Sequence, residues 1–242
     1  MPFTLAHPVA ALPIWYASGR RLRLAALVIG STAPDYEYFL RMQPGGSFAH
    51  TIPGLFLFCL PAAWLVLWLF DRFARRGVQT LLPSGWQLPL APGQHRHSAL
   101  ATAGALLLGA ASHVIWDAFT HRTGLGVMLL PGLSAPVPVG FWSVPLYKLL
   151  QHGSTVAGVL VLSTLAIRWA RCQPSVPLGR LAMCALLLVG IPLAVGVLNG
   201  LRFLSQGFQP FVVATGVAFT FAVAVGPVLL GALKYFKRED AA

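Results

Sequence analysis

The sequence SALATAGALLLGAASHVIWDAF, from Ser98 to Phe119, decides the fold class, because it is long and apolar enough to cross a bilayer as one helix. Composition agrees, since 57% of the residues are hydrophobic and 10% are charged, which is far more apolar than a soluble domain. Four further segments have the same length and character: Pro53 to Phe70, Ser154 to Ala170, Leu181 to Leu201 and Phe211 to Tyr235. The sequence therefore predicts an all-α polytopic membrane helix bundle of about five spanning helices.

The first fifty residues differ from the rest of the chain. Leu22 to Ile29 is apolar but too short to span, and Gly30-Ser31-Thr32-Ala33-Pro34 follows it. This pattern predicts a short interfacial or re-entrant helix, then a second helix with Ser31 or Thr32 as its N-cap and Asp35 and Glu37 in its first turn. We expect residues 1–50 to form this segment and residues 51–242 to form the transmembrane bundle, together one membrane domain over 1–242.

The net charge of +11 comes from basic residues that flank the apolar segments, as Arg72, Arg75 and Arg76 do. Such residues set topology and contact lipid headgroups, and no basic stretch resembles a nucleic-acid reading motif. We therefore expect membrane lipids as partners and no nucleic acid. The larger share of Lys and Arg falls on the face after the first span, which favours that face as cytoplasmic and the N-terminus as extracytoplasmic.

Three of the six acidic residues lie close to histidines or inside apolar sequence, namely Asp35, Glu37 and Asp117. A buried carboxylate needs a compensating partner. His113 and Asp117 are four residues apart on one helix face, a spacing that can chelate a cation. His121 lies a further four residues on, so it would serve a neighbouring ion or hold a ligand in place. The alternative is a buried hydrogen-bonded pair that only stabilises packing.

Topology brings further polar residues to the same membrane face. His50 begins the first span, the second span ends at His121, and the third begins near His152, while the segment before the first span involves no crossing. His95 and His97 come out on the opposite face and are excluded as partners. The predicted metal ligands are His7, Asp35, His50, His113, Asp117 and His121. We expect His152 to be an interfacial polar anchor, and a ligand role is the alternative.

Four motifs carry a family resemblance. They are MPFTLAHP at residues 1–8, ALVIGSTAPDYEYF at 26–39, HTIPG at 50–54 and SHVIWDAFTH at 112–121. Together they resemble a bacterial membrane family catalogued only as domain of unknown function 4184, which implies a multi-pass protein of the bacterial inner membrane. The Asp35, His50 and His113-x-x-x-Asp117 pattern more loosely resembles membrane-bound metal-dependent hydrolases and, more faintly, zinc phospholipase C and single-strand nuclease enzymes. The mature N-terminal ligand and the further His-x-x-x-Glu of those soluble enzymes are absent from this sequence.

The preferred hypothesis is an integral-membrane metal-dependent hydrolase. Its site would lie at headgroup depth on the extracytoplasmic face and act on a lipid or phosphoester. The imidazole content favours zinc, with manganese or iron as alternatives, and the predicted catalytic residues are Glu37, as general base, and Asp35. A transporter that relays protons or a metal cation is the competing hypothesis, and a structural membrane protein with a buried polar cluster is the third.

Overall fold

The computed structural model describes residues 4–41, 48–87 and 97–239 and is 81% helical. Five helices are long and apolar enough to cross a membrane. The prediction of an all-α polytopic membrane protein is confirmed. His95, which the sequence placed on the opposite membrane face, lies outside the described residues.

The helices follow one another along the chain with few interruptions. They are α1 (Ala11–Ala17), α2 (Leu24–Gly30), α3 (Tyr36–Arg41), α4 (Ile52–Leu81), α5 (Ala99–Thr120), α6 (Leu125–Leu129), α7 (Leu146–Arg171), α8 (Leu178–Leu201) and α9 (Phe208–Glu239). Short 3-10 turns cover Thr4–Ala10, Ala33–Asp35, Phe48–His50, Pro131–Ser134 and Leu204–Gln206. The candidate spans are α4, α5, α7, α8 and the Pro210–Tyr235 part of α9.

The structure refines the predicted boundaries. The first spanning helix runs on from Phe70 to Leu81, and the third begins at Leu146 rather than Ser154. Between α6 and α7 the chain forms an antiparallel hairpin that the hydropathy pattern did not predict, with β1 (Pro136–Val139) paired to β2 (Trp142–Pro145). Its turn is made possible by Gly140 at a φ of +59°.

The described residues group into two compact units, and each is described by itself. The first unit draws on Met1–Asp35, Ser47–Ala63 and His97–Ile167, and the second on Tyr36–Gly46, Trp64–Arg96 and Arg168–Ala242. The expectation of one membrane domain over 1–242 stays a prediction.

In the first unit, helix α2 packs directly on α5 through small residues. A Cβ atom on Gly109 would lie 2.3 Å from the Leu27 carbonyl oxygen, and one on Gly30 would lie 2.2 Å from that of Leu106. The two backbones are therefore in contact, as small residues allow in membrane proteins. This crossing places the end of α2 against the middle of α5, one turn before His113.

In the second unit, α9 packs against α8 and against the C-terminal part of α4. Glycines again allow the approach, since a Cβ atom on Gly196 would lie 2.7 Å from the Thr215 carbonyl oxygen. The Asn199 amide donates to the Ala214 carbonyl at 3.2 Å. Near the end of α4, the Arg72 guanidinium lies over the Tyr235 ring, 3.8 Å from its centroid. These contacts hold the helices of this unit together through apolar and locally satisfied polar groups.

Candidate metal centre

The first unit brings five of the predicted ligands together from four parts of the chain. Three of them lie in short 3-10 turns and two lie on α5, in this order: His7 in Thr4–Ala10, Asp35 in Ala33–Asp35, His50 in Phe48–His50, then His113 and Asp117. The side chains of His113 and Asp35 are fully buried, and that of Asp117 is nearly so. A buried cluster of imidazoles and carboxylates therefore lies at the end of the second spanning helix and the start of the first.

Four atoms of this cluster face one another at nearly equal distances. His113 Nε2 lies 3.5 Å from Asp35 Oδ1 and 3.4 Å from Asp117 Oδ2. His50 Nε2 lies 3.7 Å and 3.6 Å from the same two oxygens. At metal–ligand distances of about 2.0–2.1 Å, the ligand atoms of a tetrahedral zinc ion lie about 3.4 Å apart. These four imidazole–carboxylate distances are therefore close to those between ligand atoms of one small divalent cation.

Several of these atoms have no hydrogen bond, although they are buried. Among the described residues this holds for His7 Nε2, Asp35 Oδ1, His113 Nε2 and Asp117 Oδ1. A buried polar atom without a partner costs about 1–3 kcal/mol, and more when it is charged. A divalent cation bound here would satisfy those of these atoms that it ligates.

The imidazole of His113 is held in a fixed orientation from its other side. Its Nδ1 lies 2.8 Å from the carbonyl oxygen of Ser31, which accepts a hydrogen bond at the end of α2. With the proton on Nδ1, Nε2 carries the lone pair and points to Asp35 and Asp117. Metal-binding histidines commonly use this arrangement. The contact between α2 and α5 thus sets the tautomer that a ligand needs.

Asp35 and His7 complete the inner part of the cluster. The Thr4 hydroxyl donates to Asp35 Oδ2 at 2.5 Å, which leaves Oδ1 facing the two imidazoles. Burial raises the pKa of Asp35 to about 6, against the opposing effect of His113. Burial also lowers the pKa of His7 to about 3, and the neighbouring His113 lowers it further. His7 is therefore a neutral imidazole at physiological pH, with Nε2 3.9 Å from Asp117 Oδ1.

His121 contacts Asp117 from the outer side of the cluster. Its Nδ1 lies 3.5 Å from Asp117 Oδ1 and 3.1 Å from the Asp117 carbonyl oxygen, while its Nε2 lies 3.2 Å from the Gln151 amide nitrogen. The Gln151 amide oxygen accepts from Lys148 at 2.9 Å. Burial lowers the pKa of His121. This chain of contacts orients the Asp117 carboxylate, the second of the two roles that the sequence left open for His121.

Two sets of three residues have ligand atoms that all lie within 4.8 Å of one another. They are His7, Asp35 and His113, and His50, His113 and Asp117. Both sets include His113, whose Nδ1 is taken by the Ser31 carbonyl, so its single free nitrogen can bind one ion only. The two sets are therefore parts of a single candidate site rather than two separate sites.

Comparison with known proteins gives a family. The family model described as "Domain of unknown function (DUF4184)" matches residues 1–234. The chain belongs to this family. No curated protein and no solved structure matches the chain. The buried cluster is therefore described for this DUF4184 protein from its own residues.

Three further residues that the sequence of the DUF4184 protein singled out have surroundings of their own. Glu37 belongs to the second unit, where its carboxylate lies 4.0 Å from the Arg41 guanidinium on the same short helix. Its role as general base stays a prediction. His152 is exposed on α7, in agreement with an interfacial polar anchor, and His97 precedes the opposite end of α5 from His113.

Sequence reasoning missed three groups that support the cluster: the Thr4 hydroxyl, the Ser31 carbonyl and the Gln151 side chain. Gln151 is only 1% exposed, although it lies next to the exposed His152. A polar amide beside His152, just before the predicted third span, was the one signal in the sequence that pointed to it. Thr4 and the Ser31 carbonyl gave no such signal, because a threonine and a backbone oxygen occur everywhere in a chain.

Proposed function

We propose that this protein is a metal-dependent hydrolase of the bacterial inner membrane that acts on a lipid or phosphoester at the extracytoplasmic membrane interface. The observation that carries the proposal is that the Nε2 atoms of His50 and His113 each lie 3.4–3.7 Å from a carboxylate oxygen of Asp35 and of Asp117. Groups with this spacing and this donor chemistry suit one divalent ion.

The donor set favours zinc. Imidazole nitrogens and carboxylate oxygens are both good zinc ligands, and the four imidazole–carboxylate distances are close to those in zinc sites. A mixed nitrogen and oxygen set also suits manganese or iron. His50, His113, Asp35 and Asp117 would hold the ion, and His7 would supply a further nitrogen from the side of Asp117.

The proposed chemistry is hydrolysis of an ester bond. A bound divalent ion lowers the pKa of water and offsets negative charge on a phosphoryl or acyl oxygen. The chain's own residues fix the ligands: Thr4 orients Asp35, the Ser31 carbonyl orients His113, and His121 orients Asp117. Asp35 acts as a ligand in the proposal, because Thr4 holds Oδ2 and Oδ1 faces the two imidazoles.

The position of the cluster supports a membrane substrate. Its residues come from the last turns of α5, the turn before α4 and the N-terminal turns, which is where spanning helices meet the headgroup layer. A lipid can reach such a position by lateral diffusion, without leaving the bilayer.

Transport of a cation is the alternative, and the polar groups of the last two spans do not favour it. Asn199 donates to a carbonyl of the neighbouring helix and Thr220 donates to its own helix. These two groups are used in packing, whereas the Thr215 hydroxyl of the last span is buried without a hydrogen-bond partner among the described residues. Intramembrane polar residues of transporters typically face a pathway or a substrate site.

Elemental analysis of detergent-purified protein tests the proposal. The wild type is expected to contain about one divalent ion per chain, and His113→Ala is expected to lose it. His152→Ala is the matched control, because it removes an exposed imidazole outside the cluster. Phospholipid and chromogenic phosphodiester hydrolysis should then depend on the ion and disappear in His113→Ala. A wild type without metal, or equal metal in His113→Ala, overturns the metal site, and cation flux into liposomes without turnover overturns the enzyme.

A further inference from the structure

We infer that an apolar cavity beside His7 receives the acyl chain of a membrane lipid, so that the ester to be cleaved lies at the metal centre. The inference rests on the proposed function and names its substrate class: an ester or phosphoester that carries a long acyl chain. The cavity has a volume of about 300 Å³, within the usual range for ligand pockets. Its wall is formed by residues that include Ala6, Val9, Pro13, Trp116, Ala157 and Val161.

The cavity offers an occupant almost no polar partner. Apart from His7, its lining side chains are apolar except for Trp116 and Ser154, whose polar atoms are bonded to each other. The Trp116 Nε1 donates to the Ser154 hydroxyl at 3.1 Å, and that hydroxyl lies 3.1 Å from the Gln151 carbonyl oxygen to which it donates. An apolar cavity of this kind excludes water and accepts hydrocarbon.

Two residues in the wall of the cavity belong to candidate membrane spans and are partly exposed. Trp116 lies on α5 and Val161 on α7, both candidate membrane spans. They are 40% and 41% exposed. Exposed apolar surface on a spanning helix faces acyl chains. The first hydrocarbon to meet this opening is therefore a chain of the surrounding lipid.

His7 connects the cavity to the metal centre. The residue lines the cavity and is only 5% exposed, and its ring is stacked on that of His113. Its Nε2 faces Asp117 and has no hydrogen bond among the described residues. An acyl chain whose carbonyl end lies against the His7 ring therefore places its ester next to the cluster, with that ring between the cavity and His113.

The cavity positions the substrate more than it adds affinity. A chain that moves from bilayer to cavity exchanges one apolar environment for another, so little hydrophobic energy is gained. Holding the ester at a fixed distance from the centre raises the rate of the bound substrate instead. Chain-bearing substrates should therefore differ from chain-free phosphoesters mainly in turnover number.

Photolabelling tests the cavity independently of hydrolysis. The protein is reconstituted in phosphatidylethanolamine and phosphatidylglycerol vesicles that contain phosphatidylcholine with a diazirine in its acyl chain, and metal is removed with chelator. Labelling is expected to concentrate on the peptides of residues 4–13 and 154–161. Ala157→Phe and, independently, Val161→Phe should reduce it severalfold by filling the cavity. Ala166→Phe is the matched control, since it lies on an exposed part of the same helix that does not line the cavity.

The outcomes separate this inference from the proposed function. Cavity labelling no denser than that of the exposed face of α8 overturns the inference, as does equal labelling in all three phenylalanine variants. If labelling follows the cavity but no lipid is hydrolysed, the chain site stands and the hydrolase proposal fails. If phosphoesters are hydrolysed at equal rates by wild type and Ala157→Phe whether or not they carry a chain, the hydrolase stands and the chain site fails.

Discussion

The imidazole rings of His7 and His113 are stacked, with centroids 3.7 Å apart and planes 15° from parallel. Two imidazolium ions would repel each other at this distance, and burial together with His113 lowers the pKa of His7 to about 3. His7 is thus neutral over a wide pH range, and its nitrogen can act as a metal ligand throughout that range. The same stack ties the N-terminal turn to the second spanning helix, although the two residues are far apart in sequence.

The contact between α2 and α5 should control both stability and metal binding. In Gly109→Ala the added methyl would lie 2.3 Å from the Leu27 carbonyl oxygen and 2.8 Å from the Ser31 nitrogen. We expect a loss of about 1–3 kcal/mol in unfolding free energy, as for other overpacked sites, together with weaker metal retention because Ser31 shifts from His113. Thermal unfolding and metal content measure the two effects.

Gly104→Ala is the control for this variant. It adds the same methyl to the same helix, where nothing lies within 4 Å. Its stability should be unchanged or slightly higher, since alanine favours the helix over glycine by about 1 kcal/mol. Equal behaviour of the two variants would show that the contact does not hold the site.

Removal of the Thr4 hydroxyl should weaken metal binding without removing a ligand. Thr4→Val keeps the shape of the side chain but leaves Asp35 Oδ2 without its 2.5 Å hydrogen bond. Loss of such an orienting group typically reduces metal affinity about 10–100-fold. Competition with a chelating dye measures the affinity. Thr164→Val is the control, because that hydroxyl donates only to its own helix at the Leu160 carbonyl, and an equal loss there would rule out a specific role for Thr4.

Loss of the Asp117 charge should weaken metal binding more than loss of the Thr4 hydroxyl does. Asp117→Asn keeps the size of the side chain, but it removes a negative oxygen that faces both His50 and His113. Metal affinity is expected to fall by more than in Thr4→Val, since a ligand is removed rather than a group that orients one. Asp71→Asn, in α4 of the second unit, should keep its metal. Unchanged metal content in Asp117→Asn would contradict the proposed ligand set.

The metal-free protein should lose stability as pH rises through about 6. The pKa of Asp35 is raised by burial from 3.8 to about 6, so the folded state holds its proton more tightly than the unfolded chain does. This contribution is fully present below about pH 4 and is lost as the carboxyl ionises, with a total on the order of 2–3 kcal/mol at 1.36 kcal/mol per pKa unit.

Asp35→Asn isolates this contribution, because it cannot ionise. Thermal midpoints in detergent with chelator, measured between about pH 4 and 7, should fall more steeply for the wild type than for the variant. Added metal should remove the difference in slope by compensating the carboxylate. Parallel curves without metal would mean that Asp35 ionises in the folded state as it does in the unfolded chain.

Much of the fold could be predicted from the sequence, because hydropathy over about 20 residues determines a spanning helix almost by itself. Helix ends were less predictable. Arg72 and Arg75 suggested an end near Phe70, but a helix continues through charged residues once it leaves the hydrocarbon, and α4 runs to Leu81. The hairpin from Pro136 to Pro145 was missed, since short strands give a weak signal beside long apolar runs.

The convergence of the site could also be predicted, because spanning helices force alternate segment ends to the same membrane face. That argument placed His50 and His113 together without any knowledge of packing. It could not give the contacts of Thr4 with Asp35 or of Gln151 with His121, because these depend on how helices pack in three dimensions. The role of Glu37 at the same site stays a prediction, since that residue is assigned to the second unit.

All the side chains proposed to hold the ion lie between residues 7 and 117, in the first half of the chain. A membrane protein enters the bilayer from its N-terminus during translation, so these groups are inserted before α8 and α9 have been synthesised. Where metal binding is coupled to folding, an ion captured at that stage would stabilise the nascent first unit. The supply of zinc or manganese during growth would then determine how much of the protein folds and avoids degradation, and not only how active the protein is.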